Sequence, residues 1–350
     1  TLRNSISDNQ QERPVWDNKT SEFFKNPEVL RPKRIQMNRI CKSIFVVMTL
    51  SALFLTGCGS SPKSSDSRLK VLTSTTFLAD IAQNVAGERV QVDTLLPIGM
   101  DPHAYQAAPA DVARIAESNL LILNGLDYEL FIAPLLDAAR AGGEGLVIEA
   151  TAGLNPRSTE RNANGAESGK GDEQEARDPH MWLDPNLVIT YVDNIRAGLI
   201  EADPDGARIY QANADAYIVR LRELDAWIVE QTGTIPAERR LLVTNHEALG
   251  YFAKRYGFEI VDTIIASLSS EAGTSAQALA AVIDEIKSSG APAIFLGEVE
   301  NADLANQIAE ETGVKVVDDL YLESLTNGAP AATYINMMKH NVTRIVEALK

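Results

Sequence analysis

Pro204-Asp-Gly-Ala-Arg-Ile-Tyr-Gln-Ala-Asn-Ala-Asp-Ala-Tyr-Ile-Val-Arg-Leu-Arg-Glu-Leu-Asp-Ala-Trp-Ile-Val-Glu-Gln231 carries one unbroken apolar stripe. Tyr210, Ala214, Tyr217, Leu221, Leu224 and Ile228 recur at spacings of three and four, the period of a helix with one buried face. At 1.5 Å per residue such a helix is about 40 Å long. That reach exceeds a single small lobe, so we read it as a rigid strut joining two. The plainer alternative is a helix that only covers one sheet; its length favours the strut.

Upstream, apolar strand-like runs at 69–74, 90–96, 120–123 and 146–149 alternate with helical patterns at 76–86, 109–118 and 128–140. Gly87 closes the first helix and Pro109 opens the second. Downstream, strands at 240–244, 259–264, 293–296 and 314–317 alternate with helices at 248–256, 275–288 and 302–312, and a last helix covers 331–349. Strand alternating with helix at this spacing implies parallel sheets covered on both faces. The expected class is α/β: two similar parallel-sheet lobes with flanking helices, joined by one long rigid helix. The lobes are placed at 69–186 and 234–350, with a helical linker region over 187–233. Residues 155–177 break the pattern. They are polar, lack histidine, and read as a mobile surface insert.

The N-terminal part reads as export machinery. Residues 1–36 are polar and without period, an artefact of start-site choice or a disordered tail. Residues 37–57 run from a basic start through a short apolar core to small residues, too short for a stable span. Leu55-Thr-Gly-Cys58 is similar to a bacterial lipobox, which implies cleavage before Cys58 and a lipid on its sulfur. Residues 58–68 are a flexible tether. The full chain carries a net charge of −16, and the part from Cys58 onward is more acidic still. Such a surface disfavours nucleic acid and weakly concentrates cations. Beyond Cys58 there is no cysteine, hence no disulfide framework and no thiolate metal site.

The chemistry sits on histidine. There are four. His103 lies in Gly99-Met-Asp-Pro-His-Ala-Tyr105, His180 in Asp178-Pro-His-Met-Trp-Leu-Asp-Pro185, and His246 in Val243-Thr-Asn-His-Glu-Ala248. All three stand in or beside loops, whereas His340 falls inside the final helix and reads as structural. Open parallel sheets gather ligands beyond the carboxyl ends of their strands, so we expect His103, His180 and His246 to converge on one divalent ion. Three imidazoles and one carboxylate complete a tetrahedral set. Glu323, in the loop after the 314–317 strand, is the best fourth ligand, with Asp318 and Asp319 as competitors. Asp101, Asp178 and Asp184 are candidates to accept the far ring N–H of a ligand histidine.

These four segments, in this order, resemble the zinc- and manganese-binding cluster of solute-binding proteins of ABC transporters, the ZnuA-type and TroA-type group. The likeness covers residues 70–350, with Val243–Gly257 and Leu320–Leu325 matching the third and fourth ligand motifs. It implies an extracytoplasmic carrier, not an enzyme, that holds one divalent ion between two lobes and delivers it to an ABC permease. The carrier would be a lipid-anchored monomer at the bacterial cell membrane, facing the periplasm or the exterior. Two departures stand out: Tyr105-Gln-Ala-Ala-Pro109 replaces a usual glutamate and proline, and Glu323 replaces a commoner aspartate. A third histidine where manganese-type members often have glutamate points to zinc first and manganese second, with iron or another ion after them. The missing histidine-rich insert argues the other way. A metallohydrolase is disfavoured because no His-Glu-x-x-His, Gly-x-Ser-x-Gly or Gly-rich phosphate loop occurs. A surface adhesin has no sequence feature of its own.

Overall fold

The computed structural model describes residues 69–133, 135–136, 145–158, 177–270 and 272–350. The export segment, Cys58, the tether and most of the 155–177 insert lie outside them. The first half contains β1 (Val71–Thr73), α1 (Thr76–Ala86), β2 (Val92–Thr94), α2 (Pro109–Glu117), β3 (Leu120–Leu123) and β4 (Leu146–Glu149). Two helices follow, α3 (Pro185–Ala202) and α4 (Ala207–Gly233). The second half contains β5 (Leu241–Thr244), α5 (Gly250–Tyr256), β6 (Glu259–Thr263), α6 (Ala276–Ser289), β7 (Ala293–Gly297), α7 (Asp303–Thr312), β8 (Lys315–Leu320) and α8 (Tyr334–Leu349).

Each half has one four-stranded parallel sheet, ordered β2-β1-β3-β4 and β6-β5-β7-β8. Central strands β3 (LLIL) and β7 (AIFLG) are buried at every position. A strand covered on both faces needs such an unalternating apolar run. Helix ends follow local chemistry. Gly257, Gly290 and Gly313 close α5, α6 and α7 in the left-handed region, where an L side chain would be strained. Ser275 caps α6 by accepting from the Ala278 N–H. Leu126 and Asp127, just before the expected helix over 128–140, take positive φ; a short 3-10 turn follows at Leu130–Ile132, and residues 133, 135 and 136 are helical. The rest of that stretch lies largely outside the described residues.

The long helix is a strut. α4 packs on α1 and α3 at one end and on α5 and α8 at the other. Its stripe, Tyr210 to Ile228, is buried as the spacing requires. One apolar core therefore runs through both halves, taking in Phe77, Tyr191, Leu221, Phe252, Phe295 and Tyr334. Separate clusters around Leu121 and Ile294 fill the outer faces of the two sheets. Polar bonds add to the seam: Trp182 Nε1 donates to Leu322 O (2.8 Å), and Tyr334 OH to Trp182 O (2.6 Å).

Leu221 is fully buried midway along the strut. Leu221→Ala should cost about 2–5 kcal/mol through lost burial and a residual cavity. Urea unfolding followed by circular dichroism should show that loss in one transition for both halves. A loss below about 1 kcal/mol, or two separated transitions, would contradict a shared core.

Candidate metal centre

The site is built where loops leave the carboxyl ends of the strands. After β2, the backbone turns at Gly99 (φ +74), whose N–H donates to Ser324 Oγ of the other half (2.8 Å). Asp101 Oδ1 then accepts the main-chain N–H of His103 (2.8 Å). His180 sits just before α3, and the buried Met181–Leu183 turn that follows wedges Trp182 onto Phe77, with ring centroids 4.5 Å apart. His246 follows β5, and Glu323 follows β8. The loop carrying Glu323 is clamped by Glu298, which accepts from the N–H groups of Leu322 and Ser324 (2.8 Å each).

The structure brings together all four expected ligand residues. One donor atom from each of His103, His180, His246 and Glu323 lies within 4.8 Å of the other three. His180 Nε2 and His246 Nε2 stand 3.6 and 3.5 Å from Glu323 Oε1. A tetrahedral ion with bonds near 2.1 Å would set such atoms about 3.4 Å apart. The same four atoms, the three Nε2 and Glu323 Oε1, are buried without a hydrogen-bond partner. Buried polar atoms are normally paired, so this donor set fits a cation at its centre.

The remaining atoms of these side chains are committed elsewhere. Asp178 Oδ1 accepts from both the main-chain N–H (3.0 Å) and Nδ1 (2.9 Å) of His180, as expected. His246 Nδ1 is held by Glu300, whose other oxygen accepts from Gly297 N. Carboxylate oxygens only accept, so both rings present a bare Nε2 to the centre when neutral. Glu323 Oε2 accepts from Tyr128 OH (2.6 Å). The extra methylene of glutamate thus lets one oxygen reach the imidazoles while the phenol occupies the other.

Two expected ring partners do other work. Asp184 caps α3, accepting from Asn186 N (2.9 Å) and Nδ2 (3.2 Å). Asp101 bonds main chain and Ser270 Oγ, not a ring. Of the competing carboxylates, Asp318 is exposed, and Asp319 pairs with Arg344 at 2.8 Å. His340 Nε2 bonds Asp319 O, a structural role. Tyr105 and Asp111 build the start of α2, which accounts for the departure at 105–109 without involving the donors. Sequence reading missed Tyr128, Glu298 and Glu300. The two glutamates close β7 in Leu296-Gly-Glu-Val-Glu300, topologically equivalent to His246, and could have been found there. Tyr128 was hidden by the helix assigned to it.

Electrostatics follow from burial and neighbours. Burial lowers the His103 pKa; Glu323 opposes, and the other two imidazoles add to the lowering. Burial also works against charge on His246, but the bond to Glu300 and the nearby Glu323 carboxylate more than offset it and push the ring up to about 10. His180 is raised for the same reasons, through Asp178 and Glu323. Burial disfavours the Glu323 carboxylate, yet the two rings hold it well below the usual range.

A family profile described as "ZnuA: Zinc-uptake complex component A periplasmic" matches residues 71–348. The manganese-binding lipoprotein MntA of Halalkalibacterium halodurans is 36% identical over 317 residues, covering 89% of this chain and 99% of that protein. The iron-binding protein YfeA of Yersinia pestis is 31% identical over 308 residues, covering 87% and 94%. A Mn-bound periplasmic metal binding protein from candidatus liberibacter asiaticus superposes with a TM-score of 0.70 at 28% identity, over 81% of this chain and 100% of that one. The chain belongs to this family: it is a ZnuA/TroA-like, metal-binding solute-binding protein of the ABC-transporter type, a carrier and not an enzyme.

Proposed function

We propose that the protein captures manganese outside the cytoplasm through His103, His180, His246 and Glu323, and hands it to an ABC permease for import. The observation that carries this reading is the four buried, mutually facing donor atoms that have no other partner. Three neutral Nε2 atoms and one single-oxygen carboxylate supply a full donor set. Asp178 and Glu300 hold two of the rings in register, and Tyr128 keeps the second oxygen of Glu323 occupied.

On sequence alone the third imidazole put zinc first. The names of the relatives favour manganese instead: MntA is a manganese-binding lipoprotein, the streptococcal PsaA relatives are manganese ABC transporter substrate-binding lipoproteins, and the similar solved structure is Mn-bound. Nitrogen and oxygen donors bind zinc more tightly than manganese in most sites. We therefore infer that cellular choice reflects metal supply and delivery more than intrinsic affinity. We also infer a lipid anchor at Cys58, consistent with the lipoprotein relatives.

Three outcomes test the reading. Cells lacking the protein should lose high-affinity manganese uptake and recover growth on added manganese; loss of zinc uptake alone would return the assignment to zinc. His180→Ala should weaken manganese binding by at least about tenfold in calorimetry while the circular dichroism spectrum persists, since it removes one of four donors; parent-like affinity would remove His180 from the site. Ion binding must displace protons from rings held above their usual pKa, His246 at about 10. Affinity should therefore rise with pH through the neutral range, with proton release measurable in buffers of differing ionisation enthalpy. A flat profile without proton release would contradict this arrangement.

A further inference from the structure

Outside the donor set, one group of hydrogen bonds links the second half of the molecule to a first-half ligand. Asp178 N donates to Arg157 O (2.9 Å), and Ser158 and Arg177 form an antiparallel bridge beside them. Tyr251, on α5, completes a closed ring: its hydroxyl accepts from Arg157 N (2.9 Å) and donates to Asp178 O (2.8 Å). The Tyr251 side chain is buried, and the Arg157 guanidinium lies over its ring, 5.6 Å from the centroid.

The approach is close because position 250 is glycine. A Cβ there would fall 2.1 Å from Arg157 Nη1 and 3.2 Å from Asp178 Oδ2. Asp178 is itself the residue that grips His180 twice through one carboxylate oxygen. A phenol in one half thus fixes the main chain of the residue that orients a donor in the other.

We propose that Tyr251 is a positioning residue for His180, making the placement of that donor depend on the two halves being together. The proposal rests on the reading that His180 binds the ion. Removing the hydroxyl leaves a buried carbonyl and N–H without their shared partner. Asp178 can then shift, and His180 with it. Where the seam opens at Tyr251, the grip on Asp178 loosens, so a local opening weakens the site.

The test uses cobalt(II) as probe, in the whole protein. Its visible d–d absorption reports donor geometry, and its loss to excess chelator gives an off-rate. Tyr251→Phe should alter the absorption band and speed cobalt loss about tenfold, the scale seen when partners of metal-binding histidines are removed. Tyr256→Phe is the control. It deletes a bond from the same helix to Asp225, and should leave spectrum and off-rate at parent values. Gly250→Val keeps the phenol, displaces the flexible Arg157 guanidinium and crowds Asp178 Oδ2, 3.2 Å from the added Cβ; it should alter the band and speed cobalt loss as Tyr251→Phe does, and it decides the matter if that variant does not fold. Parent-like spectra and off-rates in both site variants would overturn the proposal. A parent protein that takes up neither cobalt nor manganese would defeat the ion-binding reading, and the proposal falls with it.

Discussion

Four donor atoms that face one another, buried and without partners, are the constraint on which the rest of the structure depends. An unsatisfied buried polar atom costs about 1–3 kcal/mol, and here three imidazole nitrogens and a carboxylate oxygen share one small space. Such an arrangement survives only if every other contact of those side chains is firmly made. That is what the surroundings supply. Asp178 and Glu300 take the far side of two rings, Tyr128 takes the spare oxygen of Glu323, and Glu298 pins the main chain on both sides of it.

The fold explains how residues so far apart in sequence can be held so tightly. Each parallel sheet delivers loops to the same end, and the strut keeps the two ends facing. Because α4 contributes its buried stripe to a core that runs through both halves, the halves are not free bodies on a tether. Cross-half bonds at Trp182, Tyr334, Gly99 and Tyr251 then set the local distances. A carrier must also let go. The polar seam offers bonds that can open singly, whereas the apolar core resists wholesale separation.

Much of this was legible in the sequence, for definable reasons. Strands such as β3 and β7 are unbroken apolar runs, helix ends carry glycine, and the α4 stripe is strictly periodic, so local signals agreed with the tertiary outcome. His103, His180, His246 and Glu323 could be named because each lies in a loop at a strand end or element junction. The supporting residues were harder. Asp184 and Asp101 lie next to ligand motifs just as Asp178 does, yet one caps a helix and the other bonds main chain and Ser270. Glu300 supports His246 from 54 residues away, and no local pattern encodes that pairing. Tyr128 was masked by a run that looks helical but starts with left-handed backbone at Leu126 and Asp127.

The choice of metal separates what a donor set prefers from what a cell delivers. Three imidazoles suggest zinc, while a relative described as manganese-binding is 36% identical and a Mn-bound protein shares this fold; intrinsic affinity and biological cargo need not coincide. The central claim concerns the centre itself, whichever ion fills it. Anomalous X-ray diffraction at the manganese edge, from crystals of the manganese-loaded protein, tests it most directly. The account predicts a single peak within bonding distance of the Nε2 atoms of His103, His180 and His246 and of Glu323 Oε1. A peak elsewhere, or one that leaves any of these four atoms out of contact, would contradict it.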